Sequence, residues 1–319
     1  MEWYFIVLIV FGVLVIGGIA AMLIMTVPIG KKVYFDNLVR DKEGKWGRVC
    51  SCPTNEEQVA MWNSGNDWAE TVKDKMTEVE VENDGLKLVG EFYRFGSKKK
   101  CVIILAGRTE CLKYSYYFAQ CYEKIGVNVL VIDGRARGNS EGVYDTIGGK
   151  ESGDLIKWIR LLEERFGMEE IYCHGICIGT AAAVILMTSD RCPRSVKGLI
   201  TEGLYVSFRE NFKQHMICDG HPVFPVLDLV MHNIKKYAGT DVRKTAPIKL
   251  LPKFDKRILF IYGKEDKFSL PAKSELLYNV CGSKKKHIVW FDKGAHSHLR
   301  INNTEEYDAA IAEFLENDD

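Results

Sequence analysis

The stretch His174-Gly175-Ile176-Cys177-Ile178-Gly179 decides how this chain is read. It follows the short apolar run Ile171-Tyr172-Cys173 and leads into Thr180-Ala181-Ala182-Ala183, which reads as the first turns of a buried helix. Strand, sharp turn and helix in that order is the setting in which a Gly-x-nucleophile-x-Gly turn presents a reactive side chain. Gly175 and Gly179 fit this reading because the turn is crowded. A Cβ two positions either side of Cys177 would meet the neighbouring strand and helix. On its own the pentapeptide is also what a packed, inert thiol looks like, since free cysteine is among the most buried residue types.

The segments around it extend the pattern. Apolar strand-like runs at 101–105, 128–132, 170–173, 198–201, 257–262 and 287–291 alternate with helical stretches at 114–125, 150–166, 178–188, 271–281 and 304–315. Continuous apolar strands separated by helices predict an α/β fold, with a mostly parallel sheet covered on both faces. Ahead of them, residues 77–93 alternate around Asn83-Asp84-Gly85, a hairpin signature that adds antiparallel strands. Residues 203–252 interrupt the rhythm with two further helices, at 208–217 and 223–237. An insertion there is expected to lie over the carboxyl ends of the strands, where open α/β sheets bind ligands, as a small helical lid.

The N-terminus has a different character. Residues 3–30 carry no charge and are almost wholly apolar, and about 20 such residues cross a bilayer as a helix. A cleavable signal peptide would have a basic start and a shorter apolar core, whereas only Glu2 precedes this run. The segment therefore reads as a single-pass anchor, with Trp3 and Tyr4 at one interface and Lys31 and Lys32 at the other. Basic residues follow it (Lys31, Lys32, Arg40, Lys42, Lys45, Arg48), so the positive-inside rule places the large domain in the cytoplasm. The ten cysteines, several in apolar strand contexts such as Cys101 and Cys173, suit a reducing compartment. The expected organisation is a transmembrane anchor at 1–30, a juxtamembrane linker and helix at 31–76 (irregular to 54, helical over 55–73), and a folded domain at 77–319.

Balanced charge, with 43 basic and 43 acidic side chains, leaves no nucleic-acid footprint. Cys50-Ser51-Cys52 lacks zinc-site spacing. The glycines of 133–142 lack the Gly-x-Gly-x-x-Gly spacing of a dinucleotide fold. Neither a metal nor a cofactor is expected.

Three residue groups give Cys177 chemical company. Asp266 stands directly beyond the run 257–262, where a carboxylate can hold a histidine's Nδ1–H and fix its tautomer. Glu265 competes for that role. His296, in Gly294-Ala295-His296, follows the last strand-like run and can act as base toward Cys177 and then protonate a leaving group. His298, two residues on, remains an alternative. The loop Ala106-Gly107-Arg108-Thr109 follows the run 101–105. An oxyanion hole needs two backbone N–H groups aimed at one point, which Ile178 and Arg108 would supply. The Arg108 side chain is free to reach substrate, Glu110 or solvent. The chain order Cys177, Asp266, His296 is nucleophile, acid, histidine. His174 reads instead as a structural hydrogen-bonding residue.

From about residue 77 onward the chain resembles the bacterial α/β-hydrolases of the serine aminopeptidase (S33-like) group, and in particular their membrane-anchored members. The resemblance rests on Asp133-Gly134-Arg135-Ala136-Arg137-Gly138-Asn139-Ser140-Glu141-Gly142, the turn from Gly175 to Gly179, Gly263-Lys264-Glu265-Asp266 and Gly294-Ala295-His296. It implies an α/β-hydrolase fold, a structural role for 133–142, and a catalytic triad of Cys177, His296 and Asp266. Cys177 stands where these relatives carry serine, Ala106 where histidine is common, and Ala136 where glycine is usual.

The thiol alters the expected chemistry. A cysteine at a helix N-terminus beside an imidazolium is readily activated. A thiolate is also a better leaving group than an alkoxide or amine, so the tetrahedral intermediate tends to expel sulfur unless the other group departs easily. Esters, thioesters and lactones are therefore expected ahead of amides, with a small acyl substrate and, through residues 3–30, a lipid bilayer as partners. An aminopeptidase-like amide hydrolase, a weak or inactive ligand-binding module, and an oxidant-sensitive hydrolase are the competing readings.

Overall fold

The computed structural model describes residues 2–316. Eight strands, β1 (Met76–Asn83), β2 (Leu86–Tyr93), β3 (Lys100–Leu105), β4 (Asn128–Ile132), β5 (Glu170–Ile176), β6 (Val196–Glu202), β7 (Arg257–Gly263) and β8 (Lys286–Phe291), form one sheet in the order β1-β2-β4-β3-β5-β6-β7-β8. β3 to β8 run parallel, while β2 pairs antiparallel with both β1 and β4. Asp84 and Gly85 turn the β1–β2 hairpin, both at positive φ, the geometry of a type I′ turn.

The helices are α1 (Trp3–Leu38), α2 (Glu56–Thr71), α3 (Leu112–Lys124), α4 (Glu151–Phe166), α5 (Gly179–Met187), α6 (Phe208–Cys218), α7 (Val226–Asn233), α8 (Pro247–Leu250), α9 (Pro271–Val280), α10 (Leu299–Asn302) and α11 (Thr304–Glu316). Asn55 caps α2 by accepting from the Gln58 N–H at 2.9 Å, and Gly167 ends α4 in the left-handed region, where a glycine costs least. Two cores result, one on each face of the sheet. Trp158, Ile159 and Leu162 of α4 join Val184 and Leu186 of α5 and Leu277 of α9 on one face. Phe118 and Tyr122 of α3 join Tyr307 and Ile311 of α11 on the other. This is a mixed α/β sheet with helices on both faces, and α6, α7 and a π-helical turn (Ile234–Ala238) form the small lid, while α8 at the end of the insertion packs against α5 and α9.

Residues just after 30 differ from the irregular linker expected of them. α1 continues unbroken to Leu38, and Tyr34 and Leu38, one helical turn apart, are fully buried. Gly30 permits the approach to α7, because a Cβ there would stand 2.5 Å from Leu229 Cβ. Tyr34 stacks on Tyr237, with ring centroids 5.6 Å apart. Beyond the helix, Arg40 donates to the Gly138 and Ser140 carbonyls, at 2.9 Å each. The apolar part of α1 is long and hydrophobic enough to cross a membrane and is exposed along its length.

The turn at 133–142 is an organised junction. Asp133 is fully buried and accepts from the N–H groups of Leu112 (2.7 Å) and Asn139 (2.9 Å) and from Arg48 Nε (3.0 Å). Ala136 sits at φ +62°, a conformation that strains any residue with a Cβ, so the glycine usual at this position in the resembled family has a backbone reason.

Candidate functional site

Cys177 lies between β5 and α5 with φ +49°. A left-handed non-glycine residue at a strand-to-helix turn stores strain that its surroundings have to hold. Here the Cys177 N–H donates to the Glu202 carbonyl at 2.8 Å, and Cys177 O accepts from the Thr180 N–H at 3.2 Å. A Cβ on Gly175 would stand 2.5 Å from Thr180 Cα, and one on Gly179 would collide with the Leu105 carbonyl at the end of β3. Both glycines are therefore steric requirements of the turn.

The loops after β7 and β8 bring the acid and the imidazole together. His296 Nδ1 donates to Asp266 Oδ2 at 2.7 Å. The other carboxylate oxygen, Oδ1, accepts from the Phe268 and Ser269 N–H groups, at 2.7 and 2.8 Å. Burial alone would raise the Asp266 pKa, but His296 and these N–H groups hold it below the usual carboxylate range. Glu265 is exposed. Burial likewise opposes charge on His296, yet Cys177 and Asp266 outweigh it and raise the imidazole well above its ordinary pKa. No hydrogen bond of ordinary geometry joins Nε2 to Cys177, a looseness common in ligand-free sites. His298 turns away, with Nε2 2.6 Å from Gln58 Oε1 and Nδ1 3.3 Å from Glu57 on α2.

Gly203, at φ +66°, sits against the face of His296, where a Cβ would come within 2.8 Å of Cε1. Phe268 meets the His296 ring edge-on at 5.4 Å, and His215 of α6 stacks on Phe268 at 4.0 Å. The lid thus closes over the histidine, and Cys177 is only 6% exposed.

The loop 106–109 is pinned from two sides. Gly107 N–H donates to Glu110 Oε2 at 2.8 Å, and Arg137 donates to Gly107 O at 2.6 Å. The sequence left the Arg108 side chain open between substrate, Glu110 and solvent, and the structure removes Glu110. That carboxylate serves Gly107 and Gln58, whereas Arg108 Nη1 donates to Asn37 Oδ1 of α1 at 3.0 Å.

A buried polar chain lies behind the site. His174 is fully buried between the Tyr122 hydroxyl (2.9 Å from Nδ1) and the Tyr307 hydroxyl (3.1 Å from Nε2). Tyr307 also donates to Glu202 Oε2 at 2.6 Å. Burial pushes the Glu202 carboxyl up to about 7. Glu202 had a legible mark: it ends an apolar strand, as Asp266 follows one. Tyr122, Tyr307 and Asn37 had none, since each reaches the site from a distant helix.

No family model matches the chain. It is 26% identical over 219 residues to the uncharacterized protein YqkD of Bacillus subtilis, covering 68% of this chain and 71% of that one. It is 25% identical over 198 residues to protein bem46 of Schizosaccharomyces pombe, covering 62% of this chain and 60% of bem46. Among solved structures, the Pyrococcus furiosus esterase Pf2001 superposes with a TM-score of 0.63 at 21% identity, over 77% of this chain and 94% of the esterase. The enol-lactonase of Burkholderia xenovorans does so with a TM-score of 0.55 at 16% identity, over 75% and 100%. These likenesses, with the strand order and the lid, show that the chain has the α/β-hydrolase fold.

Proposed function

We propose that the protein is a hydrolase of carboxylic esters, thioesters or lactones that works through a cysteinyl acyl-enzyme. The observation that carries this reading is the His296–Asp266 hydrogen bond beside a cysteine held at positive φ. Cys177 Sγ attacks the acyl carbonyl. The developing oxyanion is received by the N–H groups of Ile178 and Arg108, Gly107 being already committed to Glu110. His296, held charged by Cys177 and Asp266, protonates the departing group. It then takes a proton from the water that cleaves the thioester. The resemblance to the S33-like group supports the same three positions, with cysteine replacing serine.

α1 is read as a membrane anchor whose last turns, with α2 after it, pack into the folded domain. Its apolar part continues without a break into Gly30 and Tyr34, which pack against the lid. The basic residues after it support a cytoplasmic domain.

The experiment is a panel of short and medium acyl esters, thioesters and aminoacyl amides, assayed with the native protein and with Cys177→Ala, Cys177→Ser and His296→Ala. The expected result is ester and thioester turnover that Cys177→Ala and His296→Ala lose by a factor on the order of 10^4 or more. Full activity in Cys177→Ala would end the covalent reading. A panel without turnover, together with a ligand-dependent rise in melting temperature, would make the domain a binding module.

A further inference from the structure

The hydrolytic steps use the backbone of Arg108 but not its guanidinium, and the surroundings of that group are unusual for a charge. Nη1 is bonded to Asn37, and the guanidinium carbon lies 5.9 Å from the centre of the Phe212 ring on α6. Among the described residues the other N–H donors have no hydrogen-bond partner, and no carboxylate lies within ion-pair distance. Asp145 is engaged by Arg137, and Asp219 acts on Arg108 only from further away. Phe212 lies on α6 one turn before His215, which stacks on the Phe268 ring that meets His296, so the fork stands between the loop 106–109 and the lid beside the site. A guanidinium cannot shed its proton in a protein, and Arg108 is only partly buried, so the N–H donors that Asn37 leaves free are open to an incoming anion. The neighbouring wall offers no anion either: burial and the Arg108 charge lower His215 to about 3, so that its ring is neutral.

We propose that Arg108, held by Asn37 at the end of α1, is an anion subsite of the acyl-binding cleft. The substrate would carry a carboxylate or phosphate a few atoms from the carbonyl that Cys177 attacks. This rests on the hydrolase reading and narrows its substrate class to negatively charged esters. The planar fork suits both anions, because each can accept two parallel N–H bonds. The anion can belong to a soluble dicarboxylic monoester or to a phospholipid head group at the anchor.

The test uses the full chain in neutral detergent micelles and two substrate pairs: the 4-nitrophenyl monoester of adipic acid against its methyl-capped analogue, and monoacylglycerol phosphate against monoacylglycerol. The native protein is expected to favour the charged member of at least one pair by about tenfold or more in kcat/KM, as charge-assisted hydrogen bonds allow. The pair that shows the preference assigns the source of the anion. Arg108→Met should bring that ratio close to one, and Arg108→Lys, which keeps the charge but not the fork, should leave part of it. Equal rates within both pairs, or an unchanged ratio in Arg108→Met, would overturn the subsite. Failure of every substrate to react would break the hydrolase reading instead, and the subsite is then judged by melting temperature with adipate and with inorganic phosphate. A rise in the native protein that Arg108→Met loses supports it. No rise, or the same rise in both proteins, overturns it.

Discussion

His174 and His296 both stand beside the Cys177 turn, largely out of water, yet their surroundings drive them in opposite directions. His296 faces a carboxylate and a thiol, and is held well above the ordinary imidazole pKa. His174 faces two tyrosine hydroxyls with the Arg300 charge nearby, and burial lowers it to about 3. The difference teaches that burial alone does not fix the charge of a histidine: it prevails at His174, where no anion faces the ring, and is overcome at His296 by a carboxylate and a thiol. On the proposed reading the first ring moves protons, whereas the second joins α3 and α11 to the sheet.

The sharpest break in this comparison is Asp266→Asn. It removes the carboxylate that orients His296 and favours its charged form, so kcat should fall by about 10^3–10^4, with a lower His296 pKa seen by NMR titration. An unchanged rate would mean that His296 owes neither orientation nor charge to Asp266. A smaller effect is expected at the other ring. His174→Leu leaves the buried Tyr122 and Tyr307 hydroxyls short of a partner, which costs about 2 kcal/mol in chemical denaturation. A loss of activity without a loss of stability there would show that His174 belongs to the reacting set.

The finest distinction is in pH dependence. Unfolded, His174 takes up a proton near the model value of 6.5; folded, it does so only near 3. Between those values the unfolded chain holds more protons, so stability falls as the pH is lowered. By pH 5 this residue should account for a loss of about 2 kcal/mol, which His174→Leu abolishes. The raised pKa of His296 works the other way: its contribution is complete below the unfolded value and is lost as pH rises through the folded one. An acid limb of the stability curve that His174→Leu leaves untouched would contradict the assignment.

Much of this was legible from residue order. The Cys177 turn, Asp266 and His296 each follow an apolar run, and a parallel sheet brings such positions to one edge whatever the details of packing. Individual side-chain directions were not legible. Nothing in the spacing of Glu265 and Asp266, or of His296 and His298, says which member faces inward; the Phe268 and Ser269 N–H groups and Gln58 decide that. The extension of α1 past residue 30 was hidden by Lys31 and Lys32, which look like a membrane boundary, although Tyr34 and Leu38 sit one helical turn apart. The Arg108–Asn37 contact joins segments 71 residues apart and has no local trace.

The account stands most directly on Cys177 as the atom that takes the acyl group. The native protein, mixed with an equimolar 4-nitrophenyl ester and quenched in acid, can be digested and its peptides weighed. The account predicts one acyl group on the peptide that contains Cys177. An acyl group carried by another residue, with Cys177 unmodified, would contradict it.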